Sequence, residues 1–135
     1  MPLRLEQAQR VIAEAHAHAR DRDLRITVAV VDEGGLLQAL GRMDGAPPLS
    51  AQIAEAKAVG AALWHRDGDA LADVQRDRGA FFDAVSRMTR LPIMPADGSV
   101  LIRDGSAVLG AVGVSGATSE EDRECADLAL ARVLG

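Results

Sequence analysis

The 135-residue chain has the length of one domain, and its 48% hydrophobic and 26% charged residues are typical of a globular protein with an ordinary core. The net charge of −5 and the aromatic content (two Phe, one Trp, no Tyr) argue against a nucleic-acid-binding surface, which needs basic and stacking side chains. No apolar run is long enough to span a membrane and no signal-peptide pattern is seen, so we expect one cytoplasmic domain covering residues 1–135. We expect no internal disulfide, because Cys125 is the single cysteine.

The first half of the chain predicts a helix, a hairpin and a second helix. Leu3 to Asp21 carries apolar residues at spacings of three and four, which is typical of an amphipathic helix. The run TVAVVDEGGLLQALGR has two apolar segments around a glycine pair, which predicts a β-hairpin with strands near Arg25–Val31 and Leu36–Arg42. After a loop with two prolines, Ser50–Trp64 predicts a helix with a face of small residues.

The second half predicts two short helices, a second hairpin and a long final helix. Their expected bounds are Asp69–Gln75, Ala80–Met88, Ser99–Arg103, Ala107–Val114, and Thr118 or Ser119 to about Leu134. The LPIMP segment before the hairpin is limited by its prolines to an edge position at most. The expected fold class is α/β (α+β), with a central, mainly antiparallel sheet of about five strands flanked by helices, in the order α-β-β-α-α-β-β-α.

Arg42 and Asp44 lie two positions apart in the phrase GRMDGA at the end of the second predicted strand. Such residues point to the same face of a strand, so their side chains can act together. Lys57 lies in the apolar face of the second predicted helix, where an unpaired ammonium would be costly. One interpretation is a pocket in which Arg42 and Lys57 bind an organic anion. There, Asp44 or Asp32 would orient the two cations. The alternative is a structural ion network that joins Lys57 or Arg42 to Asp44.

Gly113, Ser115 and Gly116 stand where the last predicted strand meets the last helix. Consecutive backbone N–H groups before a helix can receive an anion, which predicts a contribution to the same ligand-binding site. The sequence has neither the pattern of a nucleophile elbow nor that of a phosphate-binding P-loop, so a plain strand-to-helix turn is the alternative. The acidic run Glu120–Asp122 fits the first turn of a helix, and we interpret it as a helix start rather than an ion site.

His16 and His18 flank the apolar stripe of the first predicted helix on opposite sides, because each helical residue advances by about 100°. Haem iron needs a neutral imidazole that faces an apolar slot. Side chains two positions apart diverge, so only one of these histidines could bind a given iron, and His18 is preferred for its position near the helix end. The alternative is a pair of half-exposed histidines without a ligand. No metal-ion site is predicted, since no Cys or Asp cluster has ligand spacing.

Five phrases in order, VAVVDEGG, GRMDGA, IAEAKAVGAA, LPI and LGAVGVSGATSEEDRECADLA, resemble the GlcG/HbpS family. This is the haem-binding-type family that also includes the C-terminal domain of PduO-type proteins. The similarity extends over nearly the whole chain. The chain departs from the family at Arg90-Leu91, where a glycine pair commonly precedes Pro-Ile at the rim of the pocket.

The resemblance implies a compact domain with helices around a central antiparallel sheet, assembled into a homo-oligomer, from tetramer to octamer. It also implies a small-ligand-binding protein, with haem as the candidate cofactor through a histidine of the first helix. Two other functions stay open. One is a cofactor-free enzyme of isomerase or proton-transfer type on a small carboxylated metabolite, with Lys57, Asp44 and Arg42 as candidate catalytic residues. The other is a non-catalytic oligomeric accessory subunit.

Overall fold

A computed structural model describes residues 2–134 and shows, in that part of the chain, five helices and one four-stranded sheet. In chain order the elements are α1 (Leu5–Asp21), β1 (Thr27–Asp32), β2 (Leu37–Arg42), α2 (Ser50–Trp64), α3 (Gly68–Asp77), α4 (Gly79–Ser86), β3 (Ser99–Asp104), β4 (Ala107–Ser115) and α5 (Ser119–Leu134). The α+β class and both hairpins are confirmed, and the predicted bounds of each element lie within two residues of the observed ones.

The sheet has the strand order β2-β1-β4-β3, and all neighbouring strands are antiparallel. It has four strands rather than about five, because residues 91–95 do not join it. Pro92 and Pro95 have no N–H to donate, and the Met94 N–H donates instead to the Ala56 carbonyl of α2 at 3.1 Å. Both short helices predicted after α2 are observed, as α3 and α4, and the non-helical backbone of Arg78 (φ −137°, ψ 51°) separates them. The observed order is therefore α-β-β-α-α-α-β-β-α, one helix more than in the predicted order.

Helices cover both faces of the sheet. α2 packs on one face, against β4 and β1, while α1 and α5 pack together on the other. The strand residues alternate accordingly: Val28 and Val30 belong to the core beneath α1 and α5, and Val31 belongs to the core beneath α2. Within residues 2–134, none of the helices combines the length and the apolarity that crossing a membrane requires.

Candidate functional site

The predicted site residues of the strands lie at one end of the sheet. Arg42 of β2 pairs with Thr27 of β1, and Thr27 pairs with Ser115 of β4, so the three form one row across adjacent strands. Neighbouring strands are about 4.8 Å apart, which places the backbones of Arg42 and Ser115 about 10 Å from each other. Between them, the buried hydroxyls of Thr27 and Ser50 form a hydrogen bond of 2.7 Å. Thr27, with its hydrogen bond to Ser50, therefore separates Arg42 from Ser115.

Lys57 is buried, and its ammonium contacts neither Asp44 nor Asp32. Its Nζ donates to the Val114 carbonyl at 2.9 Å and lies 3.3 Å from Oδ2 of Asp122, in the first turn of α5. The expected partner of Lys57 was therefore wrong. The acidic run does lie in the first turn of α5, as predicted, and Asp122 in addition forms the ion pair with Lys57. Lys57 links α2 to α5 past the end of β4 and presents no open charge to a ligand.

Asp122 is the buried carboxylate of this pair, with a relative exposure of 2%. Its Oδ1 accepts the Ala117 N–H at 3.1 Å, which holds the turn between β4 and α5. Burial raises the pKa of the Asp122 carboxyl above its usual value, while Lys57 and the Ala117 N–H act in the opposite direction. Such a pair fixes the position of two elements more than it adds to stability.

Close packing of backbone atoms requires glycine at positions 113 and 116. A Cβ at Gly113 would lie 2.1 Å from the Ala54 carbonyl oxygen, so α2 rests directly on this position of β4. Gly116 has φ +129°, and a Cβ there would lie 2.5 Å from the Arg25 carbonyl oxygen. These contacts explain Gly113 as the strand position on which α2 rests and Gly116 as part of the strand-to-helix turn. The role of both glycines in binding stays a prediction.

Arg42 and Asp44 border a surface depression of about 580 Å³ beside the end of β2. The edge depression, as we call it, is lined by His16, Arg20, Asp23, Arg25, Arg42, Met43 and Asp44. Arg42 donates through Nη1 to the Ala46 carbonyl at 3.1 Å, and no ion pair within residues 2–134 joins it to Asp44. The two side chains are therefore neighbours in the same depression without being bonded to each other.

His16 lies against the β2 edge of the sheet. Its Nε2 is 3.0 Å from the Gly41 carbonyl oxygen, and because a carbonyl only accepts, Nε2 carries the hydrogen. A Cβ at Gly41 would lie 2.9 Å from Cε1 of His16, so a side chain at residue 41 would displace the imidazole from its present position on the strand. Burial lowers the pKa of His16, and the charge of Arg20 lowers it further, while the Gly41 hydrogen bond acts against both. The lowered pKa of His16 therefore favours the neutral imidazole at pH 7.

We expect His16 to titrate below the ordinary histidine value of 6.5. Because its folded-state pKa is lowered, its contribution to folding is present above pH 6.5 and is lost as the pH falls through the folded-state value. The stability of the wild-type protein should therefore fall more steeply between pH 7 and about pH 5 than that of His16→Gln. Imidazole NMR titration measures the pKa directly, and a His16 value at or above 6.5 would contradict the expectation.

His18 faces away from the edge depression, toward α5. Its Nε2 is 2.8 Å from Oε2 of Glu124, which also contacts Arg22 at 3.0 Å. The hydrogen bond from His18 is the largest cause that lowers the pKa of Glu124. The divergence of the two histidines is thus observed, and each has a protein partner for its Nε2.

Arg20, Arg25 and Asp122 were missed by sequence reasoning. Arg20 lies four positions after His16, and this spacing on a helix is a usable signal because such residues share a face. Asp122 precedes the buried Cys125 and Ala126 by three and four positions, which places it on the buried face of α5. For Arg25 we find no local signal, since only the packing of the α1–β1 loop brings it to β2.

Comparison with known proteins agrees with this architecture. A family model described as haem degrading protein HbpS-like matches residues 3–131. The GlcG protein of Escherichia coli K12 is 33% identical over 110 residues, which cover 82% of this chain and 78% of GlcG. A crystal structure of an HbpS double mutant from Streptomyces reticuli superposes with a TM-score of 0.85 at 29% identity and covers 100% of this chain and 88% of that one. The PduOC:heme complex has a TM-score of 0.88 at 22% identity, covering 99% of this chain and 96% of that one, and shows likeness of fold alone.

The fold and these matches define a small α+β domain in which one antiparallel sheet lies between two layers of helices. The chain belongs to the HbpS-like family, which confirms the resemblance found in the sequence.

Proposed function

We propose that this protein binds a small anionic ligand in the edge depression, and that haem, bound through its carboxylates, is the first ligand to test. The description of the family as haem-degrading supports haem. We also propose that the protein forms a homo-oligomer, from tetramer to octamer.

One observation carries the proposal: three arginines and a neutral histidine line the same depression. Arg20, Arg25 and Arg42 face two aspartates, which leaves one net positive charge when His16 is neutral. Guanidinium groups bind carboxylates through paired N–H donors. The guanidinium group of Arg20 makes no hydrogen bond or ion pair with the described residues, so its N–H donors are open to a ligand.

The residues fit one part of haem. The arginines suit its carboxylates, but Met43 is the single apolar side chain of the lining. His16 has its Nε2 committed to Gly41, and His18 has its Nε2 committed to Glu124. Iron ligation through either Nε2 would require a hydrogen bond to break. In this proposal the haem carboxylates, rather than the iron, direct binding to the depression.

Titration of the protein with haem, followed by absorption and calorimetry, tests the proposal. We expect the Arg20→Gln/Arg42→Gln double variant to bind at least about tenfold more weakly, since charge-assisted hydrogen bonds contribute about 1.5–3 kcal/mol each. Haem with esterified carboxylates should bind the wild-type protein as weakly as haem binds the double variant. Added salt should weaken binding, because the site is exposed.

A matched control is Arg76→Gln/Arg87→Gln, which removes two positive charges far from the depression, on α3 and just after α4. It should bind haem as the wild type does. Equal affinity of the two double variants would exclude the edge depression as the site. A small dicarboxylate such as succinate, bound with the same arginine dependence while haem is not, would keep the anion site and reject haem as its ligand.

A further inference from the structure

A second concavity, of about 640 Å³, lies on the α2 side of the molecule. Its floor is a face of α2 and its wall is the segment after α4, residues 91–94. We call it the α2 groove. Its larger apolar side chains are Leu49, Ile53, Val59, Leu91, Ile93 and Met94. It shares no lining residue with the edge depression. Its volume is in the range of small-molecule sites, which are typically about 300–1,000 Å³.

The wall of the α2 groove is held in place. The Met94 N–H donates to the Ala56 carbonyl at 3.1 Å, which joins the segment to the helix. A Cβ at Gly60 would lie 3.4 Å from the Cβ of Ile93, an ordinary van der Waals distance, so the wall packs directly on α2 at this position. The groove is therefore formed without a ligand, which lowers the ordering cost of binding.

Glu55 is the single charged residue that lines the groove. It is half-buried, and within residues 2–134 its carboxylate has neither an ion pair nor a hydrogen bond. Gln52, one helical turn before it, is the other polar side chain of the lining. A partly desolvated carboxylate beside apolar walls favours a cationic group that can donate hydrogen bonds to it.

We propose that the α2 groove binds a small amphipathic cation, a molecule with an aliphatic or aromatic body and one ammonium head that pairs with Glu55. The apolar body contacts Ile53, Leu91 and Ile93, and the head lies at the rim beside Glu55. The site is independent of the anion site, which has the opposite charge and lies at the end of β2.

Three probes of equal length test the proposal: hexylammonium, 1-hexanol and hexanoate, titrated by calorimetry and by amide NMR shifts. We expect hexylammonium to bind about tenfold more tightly than 1-hexanol, because its hydrogen bonds to Glu55 are charge-assisted. Hexanoate should bind more weakly than either. The amide shifts should map to α2 and to residues 91–94.

Glu55→Gln should reduce hexylammonium affinity to within about twofold of 1-hexanol, since it keeps the size but loses the charge. Glu33→Gln is the matched control, because it removes an equal charge from the exposed β1–β2 turn and should leave binding unchanged. Ile93→Ser should weaken the binding of both hexylammonium and 1-hexanol, because it removes an apolar side chain from the wall of the groove.

Three outcomes would overturn the proposal. Equal affinities for hexylammonium and hexanoate would show that Glu55 does not select the ligand. Amide shifts outside the groove would place the ligand elsewhere. Absence of binding, together with a sedimentation mass that falls in Leu49→Asp, would assign the groove to contact between copies of this chain.

Discussion

Replacing Lys57 with methionine is expected to lower the free energy of unfolding by about 3 kcal/mol, because it leaves the carboxylate of Asp122 buried without its counter-ion. Both side chains are nearly inaccessible, at 7% and 3%. Methionine fills a similar volume, so the loss should come from charge rather than from a cavity. Urea denaturation at pH 7 measures the effect.

The Lys57→Met/Asp122→Asn double variant separates the ion pair from packing. The asparagine amide keeps an oxygen for the Ala117 N–H, so the double variant should be more stable than the sum of the two single losses predicts.

The stability loss of the single variant Lys57→Met should also depend on pH. Loss of Lys57 raises the pKa of Asp122 further, and a raised folded-state pKa favours folding below the unfolded value and costs stability above it. The deficit should therefore shrink near about pH 4, and a pH-independent loss below about 1 kcal/mol would contradict the buried-pair interpretation.

Gly113→Ala is expected to destabilise the protein by about 3 kcal/mol, at the upper end for overpacking of a core. The new methyl group would lie 2.1 Å from the Ala54 oxygen and 2.8 Å from the Ala58 nitrogen, both of them backbone atoms of α2. Neither can move without displacing the helix from the sheet. Thermal and urea unfolding measure the effect.

Gly79→Ala is the matched control. Gly79 is the first residue of α4, and a Cβ there meets nothing within 4 Å. Alanine should be neutral or slightly stabilising at this position, because it restricts the unfolded chain. If both variants unfold at the same denaturant concentration as the wild type, the close contact of α2 with β4 is wrong.

Most of the fold could be predicted because its signals are local. The spacing of apolar residues in α1 and the DEGG and DGS turns specify a helix and two hairpins without reference to distant residues. The errors arose where a local signal was ambiguous. Residues 91–95 look extended, and only the hydrogen bond from Met94 to α2 shows that they lie outside the sheet.

Less of the candidate site could be predicted. Arg42, Asp44 and His16 do line one depression, but the ammonium of Lys57 lies elsewhere, at the end of β4 and against α5. The burial of Lys57 could be predicted from the apolar face of its helix. Its partner could not be predicted, since Asp122 is 65 positions away and resembles an ordinary helix-start residue.

The sequence by itself determined which segments form helices and strands, which faces are apolar, and the family to which the chain belongs, because all of these are written in short-range patterns and phrases. Only the tertiary structure decided which charged groups meet. The arginines of the edge depression come from α1, from the loop after it and from the end of β2. In the α2 groove, Glu55 of α2 lies beside residues 91–94, which follow α3 and α4 in the chain. Charge pairing acts between neighbours in space, and the packing of the helices on the sheet sets those neighbours.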